Sequence, residues 1–431
     1  MVTEEPSRFA ALRTPAFRRF WFGSLASVGA VQLLIMGQAW LVYRLSGSPL
    51  DLGYLGASAS LPAIVVSLFG GVIADRFDKR RILLATSILC GLLLALLTIL
   101  DVTNTVRVWH VLLIVGLISA VSGFDWPVRQ AIYPQLVPRT VMTSAVMLNS
   151  FLWQATRMFV PAIGGVMIAA WGTWTIFGMG AVGFFVMGAT MFTIRLGPAP
   201  PVDPSAQSLI VGIRFMMRHR VFWVLILLSY ALMFLGTSYL NLMPLFVEWL
   251  GSGERAYGLL ISTAGIGSVI GTLAMGRAQH SPHLGRYMVI GLLGTVAALG
   301  AFYVSLRFLS TSDYGLAVCL LCAATMATFS AIYLVTSMTT LQLVVPDALR
   351  GRVMSVHGIT FSLIPLGALL GGAIAEQIDA PSALALHTGL LFGCVLWVMI
   401  RQSWLWSLNG NDLGQAEFAK GLGAPASSSN S

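Results

Sequence analysis

The chain has 431 residues, of which 57% are hydrophobic and 10% charged, and its mean hydropathy is +0.84. Soluble domains run at about 45–50% apolar and about 25% charged, so the composition excludes an ordinary soluble domain. With 4 cysteines and 44 glycines in no strict period, it also excludes a disulfide scaffold and a collagen-like chain. The formal net charge of +9 comes from 25 basic and 16 acidic residues, and the placement of those charges is more informative than their sum.

The first 16 residues are polar or mixed, with Glu4, Glu5, Arg8 and Arg13, and no cleavable apolar run opens the chain. The first hydrophobic segment is therefore expected to be a true span. A bilayer-crossing helix needs roughly 20 mostly apolar residues. That window predicts twelve spans, at 20–42, 52–74, 82–101, 108–128, 143–170, 174–194, 222–247, 256–277, 287–306, 314–337, 353–375 and 382–401. The expected fold class is all-α and integral to the membrane.

Charge placement supports that number. With the N-terminus inside, the cytoplasmic segments hold 20 basic residues and the outer loops four, namely Arg44, Arg107, Arg255 and Arg307. A missed or added span would scramble the split that the positive-inside rule demands. Both termini are expected in the cytoplasm, with the chain in the plasma membrane, the inner membrane of a bacterium. Trp21, Trp126, Trp223, Trp404 and Trp406 fall near inner ends, and Trp40, Trp109, Trp171, Trp174 and Trp249 near outer ends. This is the interfacial belt expected of amphipathic rings. Trp153 departs from it, deep in span five.

The chain divides into a short N-terminal segment (1–19), a six-span bundle (20–195), a linker (196–220), a second six-span bundle (221–401) and a tail (402–431) read as disordered. Pro198, Pro200, Pro201 and Pro204 open the linker, and 207–219 has the character of an amphipathic surface helix. The two bundles match weakly at an offset of about 205–208: Gly53 to Gly71 corresponds to Gly258 to Gly276, Gln135-Leu136-Val137-Pro138 to Gln342-Leu343-Val344-Val345-Pro346, and Gly164-Gly165 to Gly372-Ala373. Two pseudo-symmetric six-span halves indicate a transporter, with a substrate site expected between them near the midplane. Gly267-xxx-Gly271 and Gly367-xxx-Gly371 are small-residue pairs suited to close helix contact or to surfaces that repack during transport.

The strongest local pattern is Gly70-Gly71-Val72-Ile73-Ala74-Asp75-Arg76-Phe77-Asp78-Lys79-Arg80-Arg81, between spans two and three. It leaves Asp75 at a helix end beside a basic cluster. Such a carboxylate can lock to nearby arginines or to a helix N-terminus; the cations alone also serve as membrane anchors. The pattern resembles the signature loop of the major facilitator superfamily, except that Asp78 stands where glycine is frequent, and in the second half it has decayed to Gly276-Arg277-Ala278-Gln279-His280. Trp40-Leu41-Val42-Tyr43-Arg44, Phe124-Asp125-Trp126-Pro127-Val128-Arg129-Gln130-Ala131 and Arg350-Gly351-Arg352-Val353-Met354-Ser355 narrow the resemblance to the branch containing the enterobactin exporter and macrolide-efflux-type proteins. It covers nearly all of residues 10–400. The resemblance implies export driven by the proton gradient, an inner gate built from Gly71, Asp75, Arg76, Lys79 and Arg80, Arg129 as a partner from span four, and Arg350 and Arg352 closing the same lock.

Span five carries Asn149, Trp153, Gln154, Arg157, Pro161 and Gly164-Gly165. At 1.5 Å per residue Arg157 lies about 20 Å from the inner end, near the midplane, where a charge costs several kcal/mol unless paired or wet. Pro161 frees the carbonyl of residue 157, so a cation and a freed carbonyl share one level of the helix. Arg157 is either part of the substrate site or a structural arginine. Its Pro-x-x-Gly-Gly surroundings resemble the antiporter motif of drug exporters, with Val160 in place of the usual glycine.

Every Asp or Glu lies in a loop, a tail or near a span end; Asp125 is the least peripheral. A central arginine without a deep carboxylate favours anionic or neutral amphiphilic substrates over cationic drugs. Gln38, Tyr239, Asn241, Thr325 and Tyr333 are polar positions in apolar spans and serve either a cavity or interhelical contacts. Asp125 and His357 are candidates for carrying the coupling proton. Pro62, Pro244 and Pro365 are expected to mark kinks.

Cys319-x-x-Cys322 lies mid-span without a second ligand pair, and His110, His280, His283, His357 and His387 have no metal-ligand spacing with carboxylates, so no metal and no cofactor is expected. The lysines, Lys79 and Lys420, follow Asp78 and Ala419, which rules out a Gly-Lys-Ser/Thr phosphate loop. No catalytic constellation or nucleic-acid module is present, so an enzyme is not expected. The sequence predicts a monomeric secondary active exporter whose partners are a small molecule, protons and membrane lipid. The solute is siderophore-like, another anionic or amphiphilic metabolite, or an antibiotic. An importer of the same fold and a non-transporting scaffold or accessory subunit remain the alternatives.

Overall fold

A computed structural model describes residues 9–76, 78–194, 214, 216–276, 281, 283–312, 314–345, 347–406 and 408. Among these residues the backbone is almost wholly helical, and twelve helices are long and apolar enough to cross a membrane. The α-helices are α1 (Pro15–Ser46), α2 (Pro49–Arg76), α3 (Lys79–Val102), α4 (Val108–Leu136), α5 (Met142–Trp171), α6 (Thr173–Thr193), α7 (Arg220–Ala231), α8 (Met243–Trp249), α9 (Glu254–Gly276), α10 (Leu284–Phe308), α11 (Gly315–Val344), α12 (Asp347–Gly358), α13 (Leu363–Gln377) and α14 (Ala380–Arg401). All twelve expected spans fall on them.

Local chemistry sets the ends. Gly47 (φ +64°) closes α1 and Gly172 (φ +93°) separates α5 from α6, both at positive φ, which glycine adopts without a steric penalty. Asp78 caps α3 by accepting from the Arg80 amide at 2.9 Å, and Asp379 caps α14 by accepting from the Ser382 amide at 2.7 Å.

Two spans are interrupted. Span seven runs through α7, a π-turn (Leu232–Gly236), a 3-10 segment (Ser238–Leu242) and α8. Pro244 lacks the amide that would bond to residue 240, so a regular helix cannot continue through that point. Span eleven changes from α12 to a 3-10 segment (Ile359–Ser362) and then to α13, whose third residue is Pro365. Pro62 and Pro161 instead lie inside continuous helices.

The chain forms two compact units: unit 1 is Met1–Gly47, Ala57–Pro204 and Gly253–Ser262, and unit 2 is Ser48–Gly56, Ser205–Ser252 and Thr263–Ser431. In unit 1, α1 and α6 touch through small residues: a Cβ on Gly183 would stand 2.5 Å from the Ala26 carbonyl oxygen. Gly91 of α3 takes the Phe185 ring of α6 in the same way, at 2.7 Å. Outward faces are apolar. On α3, Leu89, Leu92, Leu96 and Ile99 form an exposed stripe at helical spacing, as a lipid-facing surface requires.

In unit 2, Gly267 and Gly271 of α9 rest on the carbonyls of Ala324 and Thr328 in α11, and the Thr328 hydroxyl donates to the Gly267 carbonyl at 3.0 Å. Gly367 of α13 sits against the Phe234 carbonyl and the Ser238 side chain. Both small-residue pairs therefore seat other helices. One expectation is corrected here. The expected disorder of the tail does not begin at residue 402, because Gln402, Leu405 and Leu408 are buried. The Gly285 amide donates to the Leu408 carbonyl at 3.0 Å, and the missing Cβ of Gly285 admits the Leu405 carbonyl. The tail's first residues are thus anchored on the start of α10. The linker 196–213 and the segment 409–431 lie outside the described residues.

Candidate transport site

In unit 1 a charged cluster joins three helices. Arg129 and Asp125, one turn apart on α4, form an ion pair through the guanidinium Nε and a carboxylate oxygen, with side-chain exposures of 8% and 21%. Arg129 also donates to the Ser24 hydroxyl of α1 at 3.3 Å, and the Thr86 hydroxyl of α3 donates to Asp125 at 3.4 Å. One turn further along α4, the Tyr133 hydroxyl donates to the Asn149 side chain of α5 at 2.5 Å. Beside it, the Trp21 indole of α1 donates to the Leu148 carbonyl at 3.1 Å. Phe17 and Phe20 pack on the Tyr133 ring. A desolvated cation with its counter-ion and hydroxyl partners is satisfied as a group, and loss of one member leaves the others exposed to the cost of burial.

Asp125 and Arg129 were expected as candidates separately; their pairing, and the Ser24 and Thr86 partners, were not. The i,i+4 spacing was the available signal for the pair. Nothing in the sequence marked Ser24 or Thr86 among many other hydroxyls in apolar spans.

Arg80 has a second kind of partner. Its guanidinium donates to the carbonyls of Met191 and Phe192 at 2.7 and 2.9 Å, and Arg19 donates to the Thr193 carbonyl at 3.3 Å. The end of α6, rich in unpaired carbonyls and carrying partial negative charge, is thus held by two arginines. Lys79 opens α3 beside it. Gly71, Asp75 and Arg76 fall in the last turns of α2, and Arg350 and Arg352 in α12. Their side chains lie outside the described residues.

Further along α5, Trp153, Gln154 and Arg157 are half-buried and Pro161 is buried. The helix continues through the proline to Gly165, which meets Gly258 in the first turns of α9. A Cβ on Gly258 would stand 2.6 Å from the Pro161 carbonyl oxygen, so α9 closes over the helix just beyond Arg157. The adjoining Tyr257 donates to the Met36 carbonyl of α1 at 2.9 Å and stacks on Trp40, with ring centroids 5.1 Å apart. Gln38, on the same stretch of α1, is 5% exposed, and its Oε1 has no hydrogen-bond partner among the described residues.

In unit 2, Asn241 is half-buried in the 3-10 segment of span seven. Tyr333 is fully buried; its hydroxyl donates to the Leu225 carbonyl at 3.0 Å and lies 3.4 Å from the Ser229 hydroxyl, which is an interhelical contact between α11 and α7. His357 is buried at the end of α12 with Nδ1 3.4 Å from the Thr360 hydroxyl, and the neighbouring Val356 carbonyl accepts from Tyr230 at 2.7 Å. At the start of α2, Glu376 of α13 accepts from the Ser48 hydroxyl at 2.8 Å and from the Leu50 amide at 3.3 Å. This contact was not expected from the sequence, where Glu376 reads as an ordinary span-end residue.

A family model described as transmembrane secretion effector matches residues 6–412. The chain belongs to this family, within the major facilitator superfamily. This facilitator is 27% identical to the staphyloferrin A transporter of Staphylococcus aureus over 345 residues, which cover 79% of the chain and 85% of that protein. It is 26% identical to the enterobactin exporter EntS of Shigella boydii over 396 residues, 90% of the chain and 92% of that protein. Among solved structures, an inward-facing bacterial homologue of the lysosomal transporter Spinster matches with a TM-score of 0.68 at 14% identity, covering 93% of this chain and 97% of that one. A bacterial homologue of the iron transporter ferroportin matches at 0.66 and 15% identity, covering 88% and 98%. At that identity the structures support the fold. The facilitator is a multi-pass secondary transporter of a small molecule and not an enzyme.

Proposed function

We propose that this facilitator exports a siderophore-like, anionic or amphiphilic metabolite from the cytoplasm across a bacterial inner membrane, by proton-coupled alternating access. The observation that carries the proposal is the agreement of the two relatives above, named as a staphyloferrin A transporter and an enterobactin exporter, over most of both chains.

The residues support the same class of cargo. Among the described residues, acidic side chains cluster at helix ends, and Asp125, the least peripheral, is paired with Arg129. The cation of span five, Arg157, stands on a helix whose sequence contains no Asp or Glu. A solute with carboxylate, catecholate or similar groups gains from such a cation in a low-dielectric setting, where a cationic drug would be repelled. In this proposal Gln38, Trp153, Gln154, Arg157, Pro161 and Asn241 form the substrate and coupling set. Asp75 and Arg76 with Lys79, Arg80, Arg129, Arg350 and Arg352 form the inner gate, and Tyr333 supports span seven. A proton moving down the potential supplies about 2.3 kcal/mol per 100 mV, enough for useful accumulation with one or two protons per cycle.

The test is comparative mass spectrometry of cells and medium, with and without the gene, at low and normal iron. A compound that accumulates inside the deletion strain and falls outside it identifies the cargo, and iron dependence assigns it to the siderophores. A compound that instead stays outside the deletion strain makes the chain an importer, and no change in either compartment overturns the metabolite-export proposal.

A further inference from the structure

His387 of α14 is 1% exposed, far from any expected role. Its Nδ1 lies 3.1 Å from the Ser238 hydroxyl, at the point where span seven passes from the π-turn into the 3-10 segment. Its Nε2 has no hydrogen-bond partner among the described residues. The space beside that nitrogen exists because residue 371 is glycine: a Cβ there would stand 3.1 Å from Cε1 and 3.4 Å from Nε2.

The same small-residue pair of α13 seats the irregular segment. Gly367 receives the Phe234 carbonyl and the Ser238 side chain, and Gly371 receives Leu242. The ring, the break in span seven and the Gly367/Gly371 seat are thus one packed assembly inside unit 2.

We propose that His387 carries the coupling proton and that its protonation releases the irregular segment of span seven from the Gly367/Gly371 seat. The inference rests on the proton-coupled reading above and names the residue that performs the coupling. In the tautomer whose Nδ1–H donates to Ser238, Nε2 presents a free lone pair. A proton taken there from solvent converts imidazole to imidazolium, with no other bond made or broken.

Among the described residues no counter-charge meets that imidazolium. The charged groups of the helices packed on α14 stand at helix ends: Arg220 in α7, Glu248 in α8, Arg286 and Arg307 in α10, and Glu376 in α13. Tyr239, next to Ser238, turns its ring to Phe302, and Tyr230 donates to the Val356 carbonyl. An unpaired buried charge costs several kcal/mol, so the charged ring needs water or movement. The segment facing it moves at least cost, because a π-turn followed by a 3-10 stretch lacks the regular helical ladder.

Hydrogen exchange on the full-length protein in lipid nanodiscs tests this without any substrate. Amide protection over residues 232–242, corrected for intrinsic rates, is compared between about pH 4 and 8, a window that reaches more than two units below ordinary imidazole titration. Wild type is expected to lose protection by about tenfold at the acidic end, and His387→Gln to keep the same protection at both. His387→Asn is held to the same criterion in case the glutamine variant does not fold. A wild-type protection that ignores pH, or a pH response that survives either substitution, overturns the assignment. Because the readout is independent of cargo, a failed substrate assignment leaves it standing, and a flat exchange profile overturns His387 without touching the export reading.

Discussion

Gly165 of α5 and Gly258 of α9 meet backbone to backbone: a Cβ placed on either would stand 2.9 Å from the other's Cα. The neighbouring Gly164 is different, since its Cβ would meet the flexible Met36 thioether at 3.0 Å. Overpacking against a backbone that cannot yield costs about 1–3 kcal/mol, and a movable side chain absorbs much of that. Gly165→Ala and Gly258→Ala are therefore expected to lower the thermal midpoint of the purified protein clearly, and Gly164→Ala by less. Equal melting of all three variants would count against the close approach.

The Asp125–Arg129 pair makes a sign prediction. Asp125→Asn leaves a guanidinium that is 8% exposed with the Ser24 hydroxyl but without its counter-charge. Adding Arg129→Gln removes that stranded cation. The double variant is expected to be less destabilised than the sum of the two single ones, a coupling of at least about 0.5 kcal/mol in a thermal or denaturant cycle. Strict additivity would mean that the two side chains do not act as a pair.

Asp379 gives the pH dependence. Burial works against its charge, but the side-chain and backbone bonds to Ser382, together with Arg307 at 3.3 Å, outweigh it and hold the carboxyl below its usual range. The folded state thus binds this proton less readily than the unfolded chain. The resulting stability is fully present above the ordinary carboxylate range, about pH 4, and is lost as pH falls through the lower folded value. Asp379→Ala is expected to cost about 1 kcal/mol at neutral pH, the size of a helix cap, and progressively less as melting is measured toward pH 3. A cost that does not shrink on acidification would separate the cap from the charge.

The spans, the repeat and the family were legible because each is written in many residues at once: twenty apolar positions per span, a one-sided placement of arginines, and glycines recurring at fixed offsets. The repeat extends to contacts. Gly258 meets Gly165, and Gly53, its counterpart at an offset of 205, has its nitrogen 3.3 Å from a Cβ on Gly372, which the repeat aligns with Gly164, the neighbour of Gly165. What could not be read were contacts made by single polar atoms. The Ser238 hydroxyl on His387, Glu376 on the first turn of α2 and Arg80 on the end of α6 each depend on which helices become neighbours, and one hydroxyl or carboxylate among many carries no period. Tyr333 shows the reverse case. A polar residue in an apolar span satisfied both a cavity and a contact from sequence, and its bond to the Leu225 carbonyl places it in the packing.

Arg157 separates cargo chemistry from packing. If its cation meets an anionic solute, Arg157→Lys should keep part of the export and Arg157→Ala should lose it, since a point charge retains attraction but not bidentate geometry. If the arginine serves packing instead, both variants should lower stability, and any transported cation should suffer alongside any anion. The measurement is uptake of an anionic siderophore and of a lipophilic cation into inverted vesicles, with thermal midpoints recorded in parallel. Loss of the anion alone, at unchanged midpoint, supports recognition by charge. Strong transport of the cation that Arg157→Ala leaves intact, with no anion transport in the wild type, would sink the anionic assignment, because a cation at that level of span five should repel such a solute.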